Sequence, residues 1–118
     1  MFFSTHNRLV RRALLATALA LPMSATVLGG QASAASMSTW DHLAECESGG
    51  DWHMNTGNGF YGGLQFTDET WDSFGGDKFA GHADRAEKRE QIHIAQRVLN
   101  DQGWSAWPGC SVKLGLRR

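Results

Sequence analysis

No acidic residue precedes Asp41 and no tryptophan precedes Trp40 in this 118-residue chain. The first 34 residues carry Arg8, Arg11 and Arg12 and no acid. Residues 35–118 hold 8 basic and 12 acidic side chains, a net charge of −4. Without an excess of Lys and Arg the domain lacks the phosphate-neutralising charge on which nucleic-acid affinity rests, so that class is excluded. A bilayer-spanning run of about 20 apolar residues is also missing. The apolar stretch Ala13–Leu21 is too short and is broken by Pro22. There is no phosphate-binding glycine loop, no Ser-His-Asp order and no cofactor fingerprint. His42, His53, His82 and His93 show no metal-ligand spacing. Neither metal nor cofactor is expected.

What is present begins with a leader. Met1–Arg12 is basic, Ala13–Leu21 apolar, and Ala32-Ser33-Ala34 supplies a small-x-small cleavage pattern. Residues 1–34 are therefore expected to be a secretory signal peptide. Residues 35–118 are expected to form one domain, a monomer free outside the membrane or associated with the wall. A domain that small often needs a covalent staple. Cys46 and Cys110 are its only cysteines, and in an oxidising compartment they read as one disulfide. The alternative, a Cys46 nucleophile paired with one of the histidines, would leave Cys110 as an orphan thiol.

Ser38 or Thr39 is placed to cap a first helix whose apolar positions Trp40, Leu43 and Ala44 follow the i, i+3, i+4 rule. Gly49-Gly50 ends it. Asn55–Gly59 is a turn segment, and Phe60–Phe66 an aromatic, glycine-broken stretch that suits a small hairpin or extended arm. Thr67 caps a short helix. Asp84 with Glu87 imitates a capping box for the longest helix, about 85–102, with a buried face of Ile92, Ala95 and Leu99 that leads to Gln102. The expected class is α+β: a small, mainly helical domain with a short β element.

Position i+7 of the first stripe is Glu47. It adjoins Cys46, glycine-rich turns flank it, and five Trp, four Phe and one Tyr exceed what so small a core needs. A carboxyl group against apolar walls has its charged form disfavoured and remains a proton donor nearer neutral pH. Aromatic faces are platforms for sugar rings. An acid in an aromatic cleft of an exported protein points to glycoside cleavage.

Three segments then carry a resemblance: Trp40–Gly50, Asn55–Phe66 and Gln102–Cys110. They resemble the resuscitation-promoting factor domain, found in secreted muralytic proteins of actinobacteria. The resemblance spans about 39–116. It implies a lysozyme-like fold, related to lytic transglycosylases, that acts on peptidoglycan glycan strands. It places the catalytic acid on Glu47, the disulfide on Cys46 and Cys110, and supporting Thr and Gln residues on Thr70 and Gln102. A cleft aromatic falls on Phe60, where relatives often carry Tyr, and the missing hydroxyl removes one contact. Trp107 and Asn58 complete the expected substrate-binding set.

The activity so implied is cleavage of the β-1,4 bond between N-acetylmuramic acid and N-acetylglucosamine, in the service of regrowth of dormant cells. An endopeptidase partner in the wall and two other functions, a non-catalytic glycan-binding module and a secreted signal, stay open. Asp51 is the nearest candidate for a second carboxylate, but Gly49-Gly50 interrupts the helix between it and Glu47.

Overall fold

Ser36 starts the first helix in the computed structural model, which describes residues 34–117. Its backbone is extended and its hydroxyl accepts from the Thr39 amide at 3.2 Å, giving α1, Met37–Ser48. The cap thus lies two or three residues before the expected Ser38 or Thr39, which fall inside the first turn. Gly49, at φ +68°, closes α1, and its amide donates to Glu45 O at 3.0 Å. Only a residue tolerant of positive φ ends a helix in this way. The expected signal peptide lies outside the described residues, Ala34 apart. Among the described residues no helix is long and apolar enough to cross a membrane.

Trp40, Leu43 and Ala44 are buried as their spacing requires. Trp40 meets Trp104 and Trp107 with ring centroids 5.4 and 5.6 Å apart, so three of the five tryptophans fuse α1 to the C-terminal segment. That segment is a 3-10 turn, Gly103–Ala106, followed by α4, Pro108–Lys113, with proline in its first turn. Thr67 caps α2, Asp68–Ser73, by accepting from the Thr70 amide at 3.2 Å. Trp71 of α2 is fully buried and its indole N–H donates to Ala80 O at 2.8 Å. The short β element takes the form of two isolated antiparallel bridges, Asn55 with Tyr61 and Tyr61 with Phe66.

The longest helix, α3, is Lys88–Gln102 and starts later than expected. Its capping box is Glu87 with Glu90, and the Glu87 amide donates to Glu90 Oε1 at 2.9 Å. Asp84 instead lies buried in a separate 3-10 turn, Ala83–Arg85. The same three-residue spacing occurs twice in succession, and the extended Ala86, with ψ 158°, makes the second copy the helix start. The buried stripe is Gln91, Ile94, Ala95 and Val98, whereas Ile92 and Leu99 are half-buried and Gln102 is exposed. A fully buried glutamine thus occupies a position that hydrophobic patterning assigns to its neighbour.

Gln91 explains that shift. Its Oε1 accepts from the Gly63 amide at 3.0 Å, and its Nε2 donates to Trp52 O at 2.8 Å and Ala86 O at 3.0 Å. One side chain therefore ties α3 to both ends of the 52–63 loop. Gly62 and Gly63 permit the approach: a Cβ on Gly62 would stand 2.4 Å from Gln91 Oε1, and one on Gly63 2.4 Å from the Trp52 ring. Replacing Gln91 by Leu keeps the volume but leaves three backbone groups without partners, at roughly 1–3 kcal/mol each if they stay dry. The expected result is a drop in Tm of more than 10 °C, using about 4–8 °C per kcal/mol for a domain of this size. A thermal melt within a few degrees of wild type would refute this role for Gln91.

Candidate active site

Glu47 sits in the last turn of α1, seven residues after Trp40, so the buried stripe carries it to the edge of the core. Cys46 beside it is bonded to Cys110 of α4, across a sequence separation of 64. That bond takes both thiols and leaves no cysteine nucleophile. It also brings α4 against α1, so that Trp107 and Pro108 come to line the same pocket as the acid. Phe60 and Gln65 line it as well. Glu47, Phe60, Gln65, Ala106, Trp107 and Pro108 line an open pocket of about 290 Å³.

A narrower pocket of about 100 Å³ adjoins it and shares Phe60, Gln65, Ala106 and Trp107. Its remaining lining includes Thr67, Thr70 and Gln102 over Phe66 and Val98. Trp107 is almost wholly buried and its indole N–H donates to Leu64 O at 3.0 Å, which fixes the ring as a wall. Phe60 is 43 % exposed and forms the lip.

Five of the six expected site residues therefore line one cleft in two parts. Glu47 belongs to the open part and Thr70 and Gln102 to the narrow part, while Phe60 and Trp107 border both. Asn58 lines neither. It is exposed, and its Oδ1 accepts from the Phe60 amide at 3.0 Å, which places the Phe60 backbone. Trp71 lies in the core and lines neither pocket.

Sequence reading missed Gln65. It is the one non-glycine residue with positive φ among the described residues, at +56°. The reversal Gly62–Gln65 is closed by paired Tyr61 and Phe66 hydrogen bonds of 2.8 and 2.9 Å. The Gln65 amide group reaches back so that Nε2 donates to Gly62 O at 3.1 Å. A strained backbone held in place at a cleft is a mark of a functional position. Only the glycine pair before it hints at this in the sequence.

Burial pushes the Glu47 carboxyl above its ordinary value. The ion pairs among the described residues are Lys88–Asp41 and Arg89–Glu87, and His82 contacts Asp68, so none supplies a counter-charge to Glu47. No other carboxylate lines either pocket among the described residues. Asp51 is exposed and its Oδ1 accepts from the His53 amide at 2.9 Å, a local turn contact. No three His, Cys, Asp or Glu side chains converge on a metal-sized site among the described residues.

A single protonatable acid, desolvated in a groove of aromatic, amide and hydroxyl side chains on a disulfide-closed helical frame, is able to donate a proton to a leaving oxygen. Comparison with known proteins gives the family. The transglycosylase-like domain family matches residues 34–110. Resuscitation-promoting factor Rpf1 of Corynebacterium glutamicum is 52 % identical over 103 residues, covering 87 % of this chain and 53 % of the relative. Resuscitation-promoting factor Rpf of Micrococcus luteus is 46 % identical over 113 residues, covering 96 % and 49 %. RpfB of Mycolicibacterium smegmatis is 56 % identical over 79 residues, covering 67 % and 22 %. The chain belongs to the resuscitation-promoting factor family and carries its transglycosylase-like, lysozyme-like domain. It spans about half the length of the first and second of these relatives.

Proposed function

We propose that the protein is an exported muralytic enzyme that cuts the β-1,4 bond between N-acetylmuramic acid and N-acetylglucosamine in peptidoglycan, and so promotes regrowth of dormant cells. The carrying observation is Glu47, its pKa raised by burial, with no second acid lining the cleft among the described residues. Two-carboxylate glycosidases need a partner about 5–9.5 Å away, as nucleophile or as base for a water. With none at hand, the nucleophile is best supplied by the substrate. Glu47 donates its proton to the glycosidic oxygen, which leaves with the next sugar. The 6-hydroxyl of the N-acetylmuramic acid residue attacks C1 and gives its proton to the Glu47 carboxylate, restoring the acid. An intramolecular nucleophile gains from proximity and needs no activated water.

The product is then a 1,6-anhydro end, one water lighter than a hydrolysed reducing end. Mass spectrometry of digested peptidoglycan is expected to show anhydro ends, with Asp51→Asn retaining activity. Hydrolysed ends alone, together with loss of activity in Asp51→Asn, would overturn the mechanism in favour of a two-carboxylate hydrolase. Absence of any strand cleavage would leave a glycan-binding module.

A further inference from the structure

Pro108 borders the cleft and also lines a second pocket. This second pocket holds about 460 Å³, within the range of roughly 300–1,000 Å³ typical of ligand sites. Its apolar surface comes from Trp104, Pro108, Val112 and Leu116. Pro108, Ser111 and Val112 stand at i, i+3 and i+4, so one stripe of α4 faces it. Val112 is 78 % exposed, more than Met37, Phe60 or Leu114, the other large apolar side chains left in solvent among the described residues. Ser111 is only 4 % exposed. Its amide donates to Trp107 O and its carbonyl accepts from the Leu116 amide, but its hydroxyl has no partner among the described residues. Asp84 Oδ1 is the sole side-chain atom both enclosed and unpartnered among those residues, so the Ser111 hydroxyl is open to the pocket it lines. A polar group set deep in an apolar pocket fixes the orientation of a ligand. Arg117 stands at the rim, exposed and in none of the ion pairs among the described residues.

We infer that this pocket seats the peptide carried by the N-acetylmuramic acid residue in the cleft, and that the protein prefers peptide-bearing strands to bare ones. The inference rests on the glycan-cleaving reading above and adds a subsite to it. In that reading C1 of this sugar lies at Glu47, and the lactyl group on its ring leads to the peptide. An extended chain advances about 3.3–3.6 Å per residue, so one or two residues carry it past the Pro108 ring. The peptide offers alanine methyls, backbone amides and free carboxylates. The methyls pack on Val112, Leu116 and Trp104, a backbone group bonds the Ser111 hydroxyl, and a carboxylate meets the Arg117 guanidinium. That ion pair stays in water, so it sets the direction of the peptide more than its affinity. A bare strand leaves all three contacts unmade.

The test compares the mature protein on purified strands and on the same strands after an amidase has removed their peptides. Removal is expected to lower kcat/KM about tenfold, the equivalent of one buried valine-sized contact. Val112→Asp should erase most of that preference, and Arg117→Glu should narrow it by about threefold. Both positions are exposed, and the preference is a ratio taken within each variant, so a partial loss of folded protein cancels. Calorimetry on Glu47→Gln gives a readout without turnover: the peptides released by the amidase should bind, and adding Val112→Asp should weaken their binding about tenfold. Equal cleavage of the two strands would overturn the inference while glycan cleavage stood. A preference that survives both substitutions would place the peptide elsewhere and overturn it too. If neither strand is cleaved, the enzymatic reading falls and calorimetry decides alone: peptide binding lost with Val112→Asp keeps the pocket, and no binding discards it.

Discussion

Replacing Glu47 by Gln is expected to cut strand cleavage by about 10⁴-fold or more, at the top of the range for general acid–base catalysis. The amide keeps the shape and hydrogen-bonding capacity of the carboxyl but cannot give up a proton to the glycosidic oxygen. The same change should leave the fold as stable as before or more stable. Burial raises the pKa of Glu47, so the folded state resists its ionisation more than the unfolded chain does. As pH rises from below the ordinary Glu value of about 4.3 through the raised folded value, the folded state holds more of the proton and stability falls. The variant escapes that loss. Its Tm should exceed that of wild type at neutral pH, and the difference should vanish at pH 3, where both side chains are neutral. In activity, the falling limb of the kcat/KM profile reports the same group and should lie above the usual Glu range. A folded Glu47→Gln variant with more than a tenth of wild-type activity would refute the assignment of the acid. A variant less stable than wild type at neutral pH would refute the desolvation argument.

The helices and the placement of Glu47 in the cleft were legible for a physical reason: both follow from spacing along one element. Trp40, Leu43 and Ala44 fix which face of α1 is buried, and Glu47 falls on the same face one turn later. The Thr67 cap and Gly49 stop are equally local. What was not legible depends on contacts between elements. Gln91 is polar, yet it is buried because it completes hydrogen bonds to nearby Ala86 and to Gly63 and Trp52, which are distant in sequence. Hydrophobic periodicity therefore assigned its place to Ile92. Gln65 escaped notice because positive φ at a glutamine has no compositional mark. The capping box was misplaced by one copy because Asp84, Glu87 and Glu90 form two successive pairs at the same spacing, and only the extended Ala86 makes the second the helix start. Asn58 stands in the same segment as Phe60, but its side chain accepts from the Phe60 amide and lines neither pocket, a local contact that spacing does not reveal.

Converting Cys46 and Cys110 to Ser should cost both stability and catalysis, and the two losses can be separated. The bond closes a loop of about 65 residues, for which chain-entropy arithmetic gives about 4 kcal/mol. A domain of this size has a total stability of about 5–15 kcal/mol, so much of its margin rests on this one link. The corresponding fall in Tm is on the order of 20 °C, from about 4–8 °C per kcal/mol. The catalytic loss has a different origin. Cys46 precedes Glu47 on α1, and Cys110 lies two residues after Pro108 on α4, so the bond ties the segment that carries the acid to the segment that carries Trp107 and Pro108. Without it the three-tryptophan cluster still packs α1 on the C-terminal segment, so the variant should fold at low temperature. Measured there, where circular dichroism shows the variant folded, kcat/KM should remain at least tenfold below wild type. Full activity in the folded variant would make the bond a stabiliser alone. Two free thiols in the unreduced, denatured wild-type protein would remove the bond altogether and return Cys46 to consideration as a nucleophile.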